Sequence, residues 1–161
     1  NWKIIFNFVT NTNIQTFIVM KKFTSVIRLS IAAVVAFVAI SFTSCGIAAD
    51  TIEKSVEKAN MACPLYVDEY TTCQRIYTSG NNIIYDYRTY PELIEIFPTV
   101  DYNECKNIHI SDLANAKIGN KELKLLLDLC VEAEYNIIYD YNDGMGNSFK
   151  VTITYDDIKK L

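Results

Sequence analysis

Tyr135-Asn136-Ile137-Ile138-Tyr139-Asp140-Tyr141, then Asn142-Asp143-Gly144-Met145-Gly146-Asn147, then Ser148-Phe149-Lys150-Val151-Thr152-Ile153-Thr154-Tyr155: this run decides the fold. Its last part sets Phe149, Val151, Ile153 and Tyr155 against Lys150, Thr152 and Thr154, the period-two pattern of a half-buried antiparallel strand. The centre is built of Asn, Asp and Gly, which tolerate the backbone angles of a tight turn. The first part is rich in β-branched and aromatic residues, so the segment folds back on itself as a hairpin.

The hexapeptide Asn-Ile-Ile-Tyr-Asp-Tyr that opens this hairpin also occupies 82–87, 54 residues earlier. There, 66–78 is rich in Tyr, Thr and Val and reads as a strand, Ser79-Gly80-Asn81 is a turn signal, and 82–90 is the returning strand. Ile83, Tyr85 and Tyr87 share one face of it, and Ile84, Asp86 and Arg88 the other. The first copy follows a turn and precedes Pro91, whereas the second follows a helix and precedes a turn. Different flanks argue for two strands meeting the same packing demand, not for a duplicated half-domain.

Helices surround these hairpins. Asp50-Thr51-Ile52-Glu53 has the form of a capping box, and Ile52, Val56 and Ala59 carry a helical stripe to about Asn60, which Pro64 prevents from continuing far. Pro91 starts a brief turn of helix over 91–97. Residues 102–118 read as helix, with Ser111 as a cap for 113–117. Residues 121–134 are the strongest helix, with Leu123, Leu126, Leu127, Cys130 and Val131 on one face. The order helix, hairpin, helical middle, hairpin predicts an α+β domain: an antiparallel sheet of about four strands in two hairpins, with helices on one face.

Upstream the chemistry changes. Met20-Lys21-Lys22 and Arg28 precede an apolar run over 31–42, and Thr43-Ser44-Cys45-Gly46 follows. A basic start, a short apolar stretch and small exit residues are the parts of a signal peptide. The 12-residue stretch rises about 18 Å as helix, short of a ~30 Å hydrocarbon core. Counted over 29–49, 21 consecutive residues are uncharged, which offers an uncleaved anchoring helix as the alternative; either way the basic end stays in the cytoplasm and the rest is exported. Phe42-Thr43-Ser44-Cys45-Gly46 resembles the relaxed lipobox of bacterial lipoproteins, with Phe42 where that family usually has Leu. The resemblance covers 20–46 and implies lipidation of Cys45 as the first mature residue, on the envelope of a Gram-negative bacterium. It also implies membrane attachment facing the periplasm or exterior, since acyl chains bring ~0.8 kcal/mol per buried CH₂. The expected division is therefore a targeting segment over 1–44 and one globular domain over 45–161. Residues 1–19 are expected to be upstream sequence, with Met20 the true start.

Charge follows the same division. Four of the 15 basic residues precede Cys45 and all 19 acidic ones follow it, so the exported part sets 11 positive charges against 19 negative, a net of −8. That balance excludes a nucleic-acid partner, whose affinity rests on Lys and Arg.

No catalytic pattern stands out. His109 is the single histidine, so any Ser-His-Asp or Cys-His device must use it. Its neighbours Ser111 and Asp112 bring no Gly-x-Ser-x-Gly element, and packing is its expected role. Cys63, Cys73, Cys105 and Cys130 contain no Cys-x-x-Cys and fit two disulfides in an oxidising compartment, Cys63–Cys73 being the most local pair. Counted from Asp140, Gly144 is fifth and Val151 twelfth, where a calcium loop needs Gly sixth and Glu twelfth, so no metal and no cofactor are expected. Among 11 tyrosines, Tyr85, Tyr87, Tyr139 and Tyr141 are either the core side of the sheet or a binding surface for a protein or glycan. The reading that emerges is a non-enzymatic, membrane-anchored lipoprotein that binds or supports an envelope partner. The alternatives are an inhibitor module presenting 79–82 or 143–147, and a small hydrolase or thiol enzyme using His109 or a free cysteine.

Overall fold

The computed structural model describes residues 48–95 and 99–161. The targeting segment, Cys45 and nearly all of the 29–49 stretch lie outside the described residues. Helix α1 (Ala48–Asn60) leads to strand β1 (Leu65–Tyr66), β2 (Thr71–Thr78) and β3 (Asn82–Thr89). Helices α2 (Pro91–Ile94), α3 (Tyr102–Lys117) and α4 (Lys121–Glu132) follow, then β4 (Asn136–Asn142), β5 (Ser148–Ile153) and α5 (Tyr155–Ile158). Among the described residues no helix is long and apolar enough to cross a membrane.

The fold is α+β, but the sheet is mixed and has five strands in the order β1-β2-β3-β4-β5. Two corrections to the expected sheet have local causes. The stretch 66–78 is not one strand: Asp68 turns the chain, its carboxylate accepting the Tyr70 N–H at 2.7 Å, and β1 folds back on β2. More consequential, β3 and β4 run parallel. The chain leaves β3 and returns through three helices, the long crossover that parallel neighbours require.

That parallel pair is the repeated hexapeptide lying beside itself. Asn82 pairs with Asn136, Ile83 with Ile137, and so on to Tyr87 with Tyr141, each residue meeting its own kind. The copies sit at the end of one hairpin and the start of the other, so they are not equivalent positions in a tandem unit. Alternation then sorts the pairs. Ile83, Tyr85, Tyr87, Ile137, Tyr139 and Tyr141 are buried, together with Ile76, Val151, Ile153 and apolar residues of α1, α3 and α4. Tyr85 stacks on Tyr139 at 5.4 Å and Tyr87 on Tyr141 at 5.1 Å between ring centroids, with planes 15° and 16° apart. Burial pushes the Tyr85, Tyr87 and Tyr139 hydroxyls well above their ordinary range.

The helix ends differ in places from expectation. Asp50 lies inside the first turn of α1, which begins at Ala48. Ser111 lies inside α3, whose cap is Asp101: one carboxylate oxygen accepts from the N–H groups of Asn103 and Glu104 at 2.7 and 3.1 Å. Helix α4 is capped by Asn120, which accepts from the Leu123 N–H at 2.8 Å.

Two stacked tyrosines of equal burial differ in their hydroxyls. Tyr87 OH has no partner, whereas Tyr141 OH lies 3.0 Å from His109 Nε2. Tyr87→Phe is expected to leave stability unchanged or raise it, since an unpaired buried hydroxyl is removed. Tyr141→Phe strands the His109 nitrogen and should cost about 1–3 kcal/mol. Urea unfolding of the two variants checks this contrast; equal losses would contradict it.

Candidate functional site

Residues alternating with the buried ones form the other face of the sheet, and a groove of about 450 Å³ opens there. Its lining includes Arg75, Asp86, Arg88, Asp140, Asn142 and Gly144. Register builds it. Asp86 pairs with Asp140 across the parallel strands, Arg75 of β2 stands beside Asp86, and Lys150 of β5 stands beside Asp140. A single cross-strand row therefore reads Arg75, Asp86, Asp140, Lys150. Arg75 Nε donates to Asp86 Oδ2 at 2.7 Å, and Lys150 Nζ to Asp140 Oδ2 at 2.7 Å. Hydrogen bonding to these carboxylates raises the pKa of both cations. The next row is Thr72, Arg88, Asn142 and Ser148.

Arg75 reaches this face through an irregularity. Simple alternation would put it on the side of Cys73, but a bulge between Cys73 and Arg75 shifts the register. Cys73 and Ile76 both point into the core, and the Ile76 N–H released by the bulge donates to Asn60 Oδ1 at 2.8 Å. The guanidinium, outside, sits 4.5 Å over the Tyr77 ring.

The loop 143–147 walls the groove and is held from within. Asp143 Oδ1 accepts from the N–H groups of Met145 and Asn147 at 2.7 and 3.1 Å, and Asp143 Oδ2 accepts from Asn147 Nδ2 at 2.7 Å. The Asn147 side chain, then the Met145 N–H, hold this carboxyl below its usual range. Gly144 has φ +70°, and a Cβ there would collide with the Arg88 guanidinium.

The residues singled out in the sequence lie elsewhere. Tyr85, Tyr87, Tyr139 and Tyr141 are on the buried face, with at most 7% exposure, so they form no binding surface in this structure. His109 is buried behind them. Its Nδ1 lies 2.8 Å from the Cys105 carbonyl, which can only accept, so Nδ1 carries the proton and Nε2 accepts from Tyr141 OH. Burial lowers its pKa from 6.5 to about 4, against the upward pull of the Cys105 carbonyl.

The four cysteines are thiols: Cys73, Cys105 and Cys130 are buried and Cys63 is partly exposed. Among the described cysteines, only Cys63 and Cys73 bring their sulfurs into contact, 4.0 Å apart. Burial pushes both thiols up, reinforced at Cys73 by Cys63, and Cys105 and Cys130 are likewise raised by burial to about 11 and about 12. No described group of three His, Cys, Asp or Glu residues could hold a metal ion. The groove residues Arg75, Asp86 and Asp140, and Lys150 bound to the last of them, were not singled out by the sequence reading; the signal for two of them was the duplicated Asp on the polar side of each hexapeptide.

With the geometry in view, comparison adds a fold. No protein-family model matches the chain, and no curated protein does. One solved structure, a candidate secreted protein of Pseudomonas aeruginosa, is similar over 69% of this chain and 92% of its own, with a TM-score of 0.51 and 14% identity. At that identity the likeness is one of fold.

Two outcomes follow. His109 is uncharged when folded and titrates normally when unfolded, so as pH falls from about 6.5 to about 4 the unfolded chain takes up a proton that the folded chain refuses. Stability should fall by about 1.4 kcal/mol per pH unit across that window, roughly 3 kcal/mol in all, and level off below it for this group. Urea midpoints between pH 7 and pH 4 should show the slope, and His109→Gln should flatten it; the same slope in the variant would refute the assignment. Separately, diamide should convert Cys63 and Cys73 to a disulfide, each sulfur giving up a hydrogen to the reagent, because their separation needs to close by only about 2 Å. Raised thiol pKa values make this slow at pH 7 and faster at higher pH. Peptide mapping that finds Cys105 or Cys130 bridged instead would contradict it.

Proposed function

We propose that the chain is an exported lipoprotein, anchored through Cys45 on the envelope of a Gram-negative bacterium, with a binding and not a catalytic role. The observation that carries the binding role is the charged groove on the open face of the sheet. It offers shape, a fixed wall and hydrogen-bonding groups, which is what a recognition site needs. The groups that acid–base or thiol catalysis would use sit on the far side of the sheet: His109 is fully buried and neutral, and the thiols are raised by burial. Neither faces the groove.

Export rests on the basic and apolar segment before Cys45 and its resemblance to a lipobox. Likeness of fold to a candidate secreted protein supports the same compartment. A partner would be an envelope protein or glycan reaching the face opposite the helices.

Acyl-chain labelling and membrane fractionation test the anchor. Cys45→Ala should abolish labelling and release the domain from membranes. Unlabelled but membrane-retained protein would point to the uncleaved helix over 29–49, and a wild-type chain found in the cytosol would end the proposal.

A further inference from the structure

Of the groove's two arginines, Arg75 and Arg88, one is engaged by an acid and one is not, and both groove aspartates are taken. Arg75 is held by Asp86 and Lys150 by Asp140, each at 2.7 Å. The other Asp86 oxygen accepts from Asn142 Nδ2 at 2.7 Å. Arg88, one row further along, has no carboxylate partner among the described residues. Its guanidinium lies instead against the backbone of Gly144, in space that a side chain there would fill. The glycine's left-handed φ and the bonds of Asp143 fix that wall. Arg88 therefore presents its N–H donors to the groove with its charge unneutralised, next to Asn142 and Ser148 in the same row. A downstream domain with 19 acidic residues has acids to spare for pairing, yet none meets this one.

Deepening the binding reading, on which it rests, we infer that Arg88 is the seat for an oxyanion, a carboxylate or phosphate group on a small ligand whose remainder runs along the groove. A guanidinium's planar fork matches two oxygens of such a group, and charge-assisted bonds of this kind are strong. Ser148, two strands away in the same row, lines the groove and offers a further hydroxyl donor along it. The flanking acids do not cancel the seat, because each is already bound to its own cation. The cavity of about 450 Å³ falls within the range of small-molecule sites.

Thermal melting of the full chain in detergent tests this, with inorganic phosphate and acetate as separate probes, each compared with chloride at equal ionic strength. At concentrations well above the dissociation constant, an oxyanion that binds should raise Tm by a few degrees. A rise with phosphate alone or acetate alone assigns the headgroup, and a rise with both identifies a general oxyanion seat. Arg88→Gln should weaken binding by about 10- to 100-fold and remove the rise. Arg88→Lys, which keeps charge but loses the fork, should retain part of it, and Lys124→Gln on the exposed side of α4 should retain all of it. Gly144→Ala should reduce the rise by displacing the guanidinium. Equal rises in wild type and Arg88→Gln, or no rise with either anion, would overturn the inference. A neutral trisaccharide distinguishes the two failures: if it stabilises wild type and Arg88→Gln alike, the groove binds a ligand and only the oxyanion seat is wrong.

Discussion

The structure depends on one pairing, the in-register parallel contact of 82–87 with 136–141. Because side chains alternate between faces, this single register decides the composition of both surfaces at once. It sends the Ile83–Ile137, Tyr85–Tyr139 and Tyr87–Tyr141 pairs inward and the Asn82–Asn136, Ile84–Ile138 and Asp86–Asp140 pairs outward. A one-residue slip of either strand would carry an aspartate into the tyrosine stack, where an unpaired charge costs several kcal/mol. Identical neighbours favour the register: the tyrosines stack at 5.1 and 5.4 Å, and Asn136 Nδ2 donates to Asn82 Oδ1 at 3.1 Å.

The same symmetry carries a penalty. Placing Asp86 beside Asp140 sets like charges side by side, which opposes pairing. The outer strands answer it, β2 with Arg75 and β5 with Lys150. Each bridge is half open to solvent on its cationic side, with Arg75 60% and Lys150 57% exposed. Bridges so exposed contribute about 0–1 kcal/mol apiece. Their effect is to cancel the repulsion that the repeat creates, not to hold the sheet together. This row therefore has a sufficient structural explanation, and the proposed oxyanion seat rests on the groove residue that the explanation leaves over, Arg88.

Most elements were legible in the sequence because their signals are local. The hairpin at 135–155, the turn at Gly80 and the stripe of α4 depend on neighbours a few residues apart. The parallel pairing was not legible, since it joins residues 54 apart across three helices. Two hairpins in sequence suggest an antiparallel sheet, and nothing in either hairpin states which edges meet. Its signal was present in the repeat itself, since identical strands set every residue beside its own kind only when they run parallel and in register. The helix from 102 to 117 was expected, but its cap was sought at Ser111 and lies at Asp101. Arg75 was beyond a period-two reading because a bulge reverses its face. The tyrosines drew attention as the more unusual residues, yet a face with Ile and Tyr is the more apolar one and goes inward; the site formed from what remained.

The sheet thus separates two kinds of chemistry. On the helix side, His109, the tyrosine hydroxyls and the thiols are held in their uncharged forms by burial, which suits packing and opposes reactivity at neutral pH. On the open side the charged side chains are oriented by register and walled by a loop that Asp143 ties down. Recognition needs fixed charges and a rigid frame, because ordering them in advance removes a cost that binding would otherwise bear. The proposed binding role therefore rests on this division of residues, the packed face holding the fold and the open face left to carry fixed charge.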